Sequence, residues 1–348
     1  MATTTSSATE PLQAAPPNPG IVFDMLMAYQ RTAALGAAVQ LGLFTAIGEG
    51  ARDAASIAGR IGSSLRGTRI LCDFLVVNGL LTKQNGEYGL TPTAAVFLDT
   101  RSPHCLASIT RFLGNRTMAR PFDDLADIVR HGRTTLPGEG SVEPDNPVWV
   151  EFAESMAPMM APMAPFLASV ALDGMSASPR VLDVAAGHGL FGIALAGQSP
   201  DARIVAQDWA AVLEVAKRNA RNAGVSDRYA TLPGSAFDVD FGGPYDIVLL
   251  TNFLHHFDTP TCVALLRKVR AAMAPGGKLA TLDFVPNEDR VSPPMPAAFA
   301  MTMLGTTPSG DVYTFSELEA MYREAGFAGA AIHAVPTGPD SVVTGRAV

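Results

Sequence analysis

The sequence predicts an α/β protein in which a mostly helical front segment precedes a parallel sheet covered by helices on both faces. Three observations carry this. Up to about residue 175 the apolar residues recur at three- and four-residue steps, the helical period. After Pro179 short apolar runs alternate with helical stretches of 10 to 15 residues, the texture of βαβ units. A glycine-rich turn closes the first of those runs and opens a helix.

Bulk properties narrow the function classes. The 348 residues suggest two domains, and 48% hydrophobic against 17% charged residues is ample for a large core. A net charge of −8 without a Lys/Arg cluster lacks the electrostatic footprint of nucleic-acid binding. Cys72, Cys105 and Cys262 are odd in number and far apart, so neither a disulfide framework nor a zinc cluster is expected. Such cysteine usage fits a reducing cytoplasm. The first basic residue is Arg31, so no secretory signal is expected, and no apolar run of about 18 residues predicts a membrane span.

Four segments follow along the chain. Residues 1–19 are rich in Ser, Thr, Ala and Pro and read as a disordered tail. Residues 20–102 read as helices, with Leu65 to Val77 stopped at Asn78-Gly79, followed by strands Leu80 to Lys83 and Glu87 to Leu90 around an Asn85-Gly86 turn. Helices followed by a small hairpin make a winged helix, but Arg66 and Arg69 alone form too thin a basic face for DNA. Residues 103–175 read as further helices broken by the Gly/Pro-rich loop Leu136 to Pro147. Met156, Met159, Met160 and Met163 in this part suit either gap-filling in a core or the lining of a substrate pocket.

Residues 176–348 carry the sheet. Arg180 to Val184, Ala202 to Asp208, Tyr245 to Thr251 and Lys278 to Phe284 read as buried strands. Helices are expected over Ala210 to Ala223, Pro260 to Met273 and Phe315 to Ala325. Strands Ala330 to Val335 and Ser341 to Arg346 close the chain as an antiparallel hairpin.

Gly187, Gly189 and Gly192 form a G-x-G-x-x-G turn that lets backbone approach a ligand and aims a helix N-terminus at it. The turn alone fits a nicotinamide dinucleotide equally well. Asp183 beside it is awkward for a pyrophosphate and suits a cationic ligand, while Asp208, ending the second strand, can accept both hydroxyls of a ribose.

Together with Asp208-Trp209, Pro233-Gly-Ser-Ala-Phe237, Tyr245 to Phe257 and Met273-Ala-Pro-Gly-Gly-Lys, the run Leu182-Asp-Val-Ala-Ala-Gly-His-Gly resembles the class I S-adenosylmethionine-dependent methyltransferases. Leu41-Gly-Leu-Phe, Leu75-Val-Val-Asn-Gly-Leu-Leu and Tyr88-Gly-Leu-Thr narrow the resemblance to small-molecule O-methyltransferases of the plant caffeate and bacterial polyketide type, over about residues 22–348. The resemblance implies a Rossmann-like, seven-stranded methyltransferase sheet behind a winged-helix dimerisation domain, and a homodimer. It places Asp183, Gly187, Gly189, Asp208, Trp209, Ser235, Ala236, Phe237 and Asn252 around S-adenosylmethionine, with Trp209 and Phe237 flanking the adenine and Ser235 replacing an aspartate.

Methyl transfer requires alignment of an electron-rich acceptor with the methyl carbon and removal of the acceptor's proton. By the resemblance His255 is the general base, Asp283 stands where a glutamate orients it, and a second family glutamate falls near Val312, where Asp311 substitutes only if the loop is shifted. A metal site of His255, His256 and Asp258 is the competing reading, weakened because adjacent side chains rarely converge on one ion, and no metal is expected. His188, inside the glycine loop, is expected near ligand. Met156, Met160, Phe299 and Met303 are the pocket candidates for a phenolic or enolic acceptor. The alternatives are C- or N-methylation, a cofactor-binding relative with other chemistry, and a ligand-sensing winged-helix regulator.

Overall fold

The computed structural model describes residues 17–348, so most of the expected 1–19 tail lies outside the described residues. The chain divides into two compact units, with the boundary in the sequence between Ala95 and Val96.

In the first unit, helices Ala28–Gln40, Leu43–Gly48, Ala54–Ile61 and Leu65–Val77 precede a hairpin of β1 (Leu81–Gln84) and β2 (Glu87–Leu90). Asp53 starts the Ala54–Ile61 helix by accepting the Ala55 and Ser56 N–H groups, and Ser56 answers with its hydroxyl, a capping box. Asn85 and Gly86 both take positive φ, 51° and 86°, the conformation of the two-residue hairpin turn whose twist matches its strands. The hairpin is tied back to the Leu65–Val77 helix by Asp73, which accepts from Lys83 Nζ at 2.6 Å and Tyr88 OH at 2.7 Å.

The second unit is built on a seven-stranded sheet. Its strands are β3 (Arg180–Val184), β4 (Arg203–Asp208), β5 (Tyr229–Pro233), β6 (Tyr245–Thr251), β7 (Met273–Asp283), β8 (Phe327–Ala334) and β9 (Ser341–Ala347). They lie in the order β5-β4-β3-β6-β7-β9-β8, the first five paired in parallel and β9 antiparallel to both its neighbours, β7 and β8. Parallel strands are buried on both faces, which is why these segments read as unbroken apolar runs. Alternation then sorts the side chains. Val181, Ile247, Leu249 and Leu282 pack with Leu167, Leu195 and Leu213 on one face. Leu182, Val248, Leu250 and Leu279 pack with Leu265, Leu266, Val269 and Leu318 on the other. Each such leucine contributes about 1.5–3 kcal/mol on full burial.

Strand ends match the sequence reading to within three residues except at β7, which begins at Met273 and not at Lys278, and two elements it did not assign are present. β5 is an edge strand, Tyr-Ala-Thr-Leu-Pro, with little apolar signal and a proline that an edge tolerates. The Pro294–Thr306 helix is apolar nearly all round and so carries no amphipathic period. One buried cation is fully accounted for: burial pushes the Lys278 amine down, and it donates to the Val170 carbonyl at 2.8 Å and to that of Asp173, closing the end of the Ala164–Leu172 helix. Among the described residues, no single helix is long and apolar enough to cross a membrane.

The strand order reverses around β3 and β6, and in open α/β sheets that switch point opens a crevice beyond the carboxyl ends of the strands. Asp183, Asp208, Asn252 and Asp283 all fall at or just past those ends.

Candidate active site

The loop after β3 turns sharply: Ala185, Gly187 and Gly189 have φ of 51°, 56° and 75°. At Gly189 a side chain would crowd the Ala216 Cβ at 2.9 Å and the Tyr229 hydroxyl. The loop feeds the N-terminus of the Leu190–Gln198 helix into the crevice. His188 is buried in it, its ring stacked on Phe152 at 6.5 Å and its Nδ1 accepting the Leu190 N–H at 3.2 Å. Burial pushes that imidazole down to about 4, so it is neutral at pH 7.

Asp183 is fully buried. Its Oδ2 accepts the Gly192 N–H at 3.2 Å, while Oδ1 has no hydrogen-bond partner among the described residues. Burial pushes this carboxyl up to about 8, with the Gly192 N–H opposing and Asp208 adding to the rise. Asp208 accepts the Gly187 N–H at 2.8 Å and the Trp209 N–H at 2.7 Å, and burial raises it to about 6. Each of its oxygens retains a second lone pair for a hydroxyl donor.

Trp209 is half-buried against Ala153, Val212 and Val215. Ser235 Oγ accepts the Phe237 N–H at 3.1 Å, and Lys268 Nζ holds the Ala236 and Phe237 carbonyls at 3.0 and 2.7 Å. The Phe237 ring, 38% exposed, meets Phe257 edge-on at 5.0 Å. Asn252 sits at positive φ, 50°, with its Nδ2 3.9 Å from Met160 Sδ and its Oδ1 buried without a hydrogen-bond partner among the described residues.

Past β6 the turn Leu254–His256 presents both histidines. His255 is 4% exposed and Asp283 5%, and the imidazole Nδ1 lies 2.6 Å from Asp283 Oδ1. The same oxygen accepts the Phe284 N–H at 2.8 Å, which fixes the carboxylate. An N–H at Nδ1 directed to a carboxylate leaves the lone pair on Nε2, a nitrogen without a protein hydrogen bond among the described residues. His256 turns away, edge-on to Trp149 at 5.1 Å; burial and then His255 hold it well below the usual imidazole range.

Of the four pocket candidates, Phe299 meets His255 edge-on at 5.0 Å and Met160 reaches Asn252. Met156 is buried in the core beside the sheet and Met303 is buried on the Pro294–Thr306 helix. Trp149 and Phe152, which sequence reasoning passed over, stand against His256 and His188. Their three-residue spacing on one helix was the available signal. Val312 is buried, and Asp311 faces Arg290 at 3.6 Å and the Val312 N–H at 2.8 Å, so the loop is not shifted to bring Asp311 in. Asp258 caps the following helix by accepting the Thr261 N–H at 2.9 Å. Among the described residues no group of three or more His, Cys, Asp or Glu side chains is placed to hold a metal ion.

A seven-stranded sheet of this order, a glycine turn after its first parallel strand and acidic ends on the first two define a class I methyltransferase. A family model for the O-methyltransferase domain matches residues 122–328, and one for the O-methyltransferase dimerisation domain matches residues 23–100. A solved structure from Nostoc punctiforme, described as an O-methyltransferase, is 48% identical with a TM-score of 0.92, covering 95% of this chain and 99% of that one. The tetracenomycin polyketide synthesis 8-O-methyl transferase of Streptomyces glaucescens is 26% identical over 94% of this chain and 96% of its own length. The S-adenosyl-L-methionine-dependent methyl transferase PigF of a Serratia species is 25% identical over 93% of this chain and 94% of its own. Its structure with SAH gives a TM-score of 0.83 over 95% of this chain and all of that one. The chain belongs to the O-methyltransferase family, enzymes that use S-adenosylmethionine as methyl donor.

The segment after the Pro294–Thr306 helix grips the histidine turn. Tyr313 OH donates to the Phe257 carbonyl, and Gly310 lies so close that a Cβ there would overlap the His255 carbonyl oxygen and stand 2.9 Å from the His256 carbonyl carbon. Gly310→Ala should therefore displace His255 and lower methyl transfer by about 10²-fold, as a misplacement of about 1 Å can. Transfer of isotope-labelled methyl, measured beside the melting temperature, checks this; a variant with full rate would show that the turn tolerates the added methyl.

Proposed function

We propose that this enzyme methylates a phenolic or enolic hydroxyl, with His255 as general base. The observation that carries the reading is the 2.6 Å bond from His255 Nδ1 to Asp283, buried at the sheet edge with Nε2 left for the acceptor. The acceptor oxygen attacks the methyl carbon, its proton passes to Nε2, and Asp283 balances the imidazolium. S-adenosylmethionine supplies the methyl on a sulfonium whose carbon–sulfur bond breaks to leave a neutral thioether. Asp183 holds the donor's cationic end, and its unpartnered Oδ1 is the fit that supports this. Asp208 takes the ribose hydroxyls, with Gly187 and Gly189 giving the backbone room to approach. Trp209, Ser235, Ala236, Phe237 and Asn252 complete the cofactor's surroundings. Phe299, Met160, Met156 and Met303, joined by Trp149, wall an aromatic acceptor, a class supported by the polyketide pathway named for the Streptomyces relative.

We further propose a homodimer, through a winged-helix front domain of about residues 20–102. Supporting it are the match to the dimerisation model and an apolar helix, Gly20–Leu26, with no buried residue. Residues 103–175 form the acceptor-lining segment and 176–348 the catalytic domain. Three free cysteines, two of them buried, suit a cytoplasmic setting.

These readings predict distinct outcomes. With a panel of hydroxynaphthalenes as acceptors, His255→Ala should lower methyl transfer by about 10² to 10⁴ while keeping affinity for S-adenosylhomocysteine. His256→Ala should be milder and Asp283→Asn intermediate; equal, full rates in all three would remove acid–base chemistry from the account. Asp183, raised to about 8, is protonated at pH 7 in the free enzyme, and a neighbouring cation favours its ionised form. Donor binding should thus release protons near pH 7 and tighten as pH rises toward about 8. Calorimetry in buffers of different ionisation enthalpy reads the release, which Asp183→Asn should diminish; proton uptake by the wild type would contradict the placement. Light scattering should give twice the 36.4 kDa chain mass, and a concentration-independent monomer would exclude the dimer.

A further inference from the structure

A carboxyl group that neither the motifs nor the reaction has used lies near the His255–Asp283 pair. Asp340 is 3% exposed, in the turn between β8 and β9. Sheet register brings it there: Ser341, the next residue, pairs with Asp283 across the antiparallel β7–β9 ladder. The turn is fastened, since the Asp340 carbonyl accepts the Val335 N–H at 3.1 Å and Thr337 Oγ1 donates to the Pro162 carbonyl at 3.1 Å. Gly338 rests against Met163, where a Cβ would stand 2.7 Å from the sulfur. Held in this way, Asp340 keeps its Oδ1 buried with no hydrogen-bond partner among the described residues. The ionisable groups that act on it through charge are Asp283, from the end of β7, and His255, from the turn after β6. A buried carboxyl with one oxygen unpartnered is costly unless a charge compensates it, and His255 is the one neighbour of the two that can become a cation.

We propose that Asp340 is a positioning residue for methyl transfer, whose carboxylate stabilises the imidazolium formed when His255 takes the acceptor's proton. The inference rests on the reading of His255 as base. No bond to Asp340 forms or breaks; it acts through charge alone. Burial and the Asp283 charge push its carboxyl up to about 7, and His255 opposes them. Near neutral pH Asp340 therefore exchanges its own proton, and a proton gained by His255 favours its ionised form. In this way the chain places a second acid beside the histidine from the far hairpin, while Val312 supplies none.

The test is an NMR titration of the full chain saturated with S-adenosylhomocysteine, so that no acceptor is needed. With labelled histidine, the His255 imidazole signal is assigned by its loss in His255→Asn. Asp340→Asn should lower the His255 midpoint by about one pH unit relative to wild type, the size expected for removal of one nearby charge, and Asp340→Glu should restore most of it. In the wild type itself, labelled Asp340 carboxyl and His255 imidazole should share inflections, a measurement that stands if Asp340→Asn fails to fold. An unmoved midpoint, or independent inflections, would overturn the proposal while leaving the base reading intact. If the midpoint moves but His255→Ala transfers methyl at the wild-type rate, the base reading fails and takes the role of Asp340 with it.

Discussion

Four carboxyl groups, Asp183, Asp208, Asp283 and Asp340, are buried along one edge of the seven-stranded sheet, and each must find compensation that bulk water would otherwise give. Asp208 finds it in two loop N–H groups and Asp283 in an imidazole and an N–H. Asp183 and Asp340 are each left with one oxygen unpartnered among the described residues, and both are pushed toward protonation. An edge arranged in this way favours positive charge, which under the proposed function comes at one end from a bound sulfonium compound and at the other from an imidazole that gains a proton. Parallel strands make this possible because they deliver their carboxyl ends to a single rim.

The same rim explains how much was legible beforehand. Asp183, Asp208, His255 and Asp283 all follow apolar runs that announce buried strands, so their residue types and their place at strand ends coincide in the sequence. The Asn85-Gly86 hairpin and the stop of the Leu65–Val77 helix were equally plain, because local backbone chemistry alone dictates them. What escaped depends on pairings between distant segments. Asp340 sits in an unremarkable turn, and only the β7–β9 register brings it to Asp283. Gly310 looks like any loop glycine until the backbone of His255 is placed against it. β5 and the Pro294–Thr306 helix lacked a period, the first as a short edge strand and the second as an apolar cylinder.

The fate of Asp311 illustrates the limit of matching residues by position. A carboxylate one step from a lost acid is a natural substitute on paper, yet here it turns outward to Arg290 and the Val312 N–H. Side chains on adjacent residues of an extended loop point in different directions, so nearness in sequence gave no nearness at the site.

The methionine-rich segment Val148–Met163 and the Pro294–Thr306 helix are separate in sequence from the strand ends that carry the acids and from His255, though they pack against them. Under the proposed function, reaction and recognition are therefore written on separate pieces of chain. Thioether and aromatic side chains adapt to new shapes with little loss of packing, so the walls can be recut for a different acceptor without rebuilding the rim. A scaffold divided in this way can diversify its products while its chemistry stays fixed.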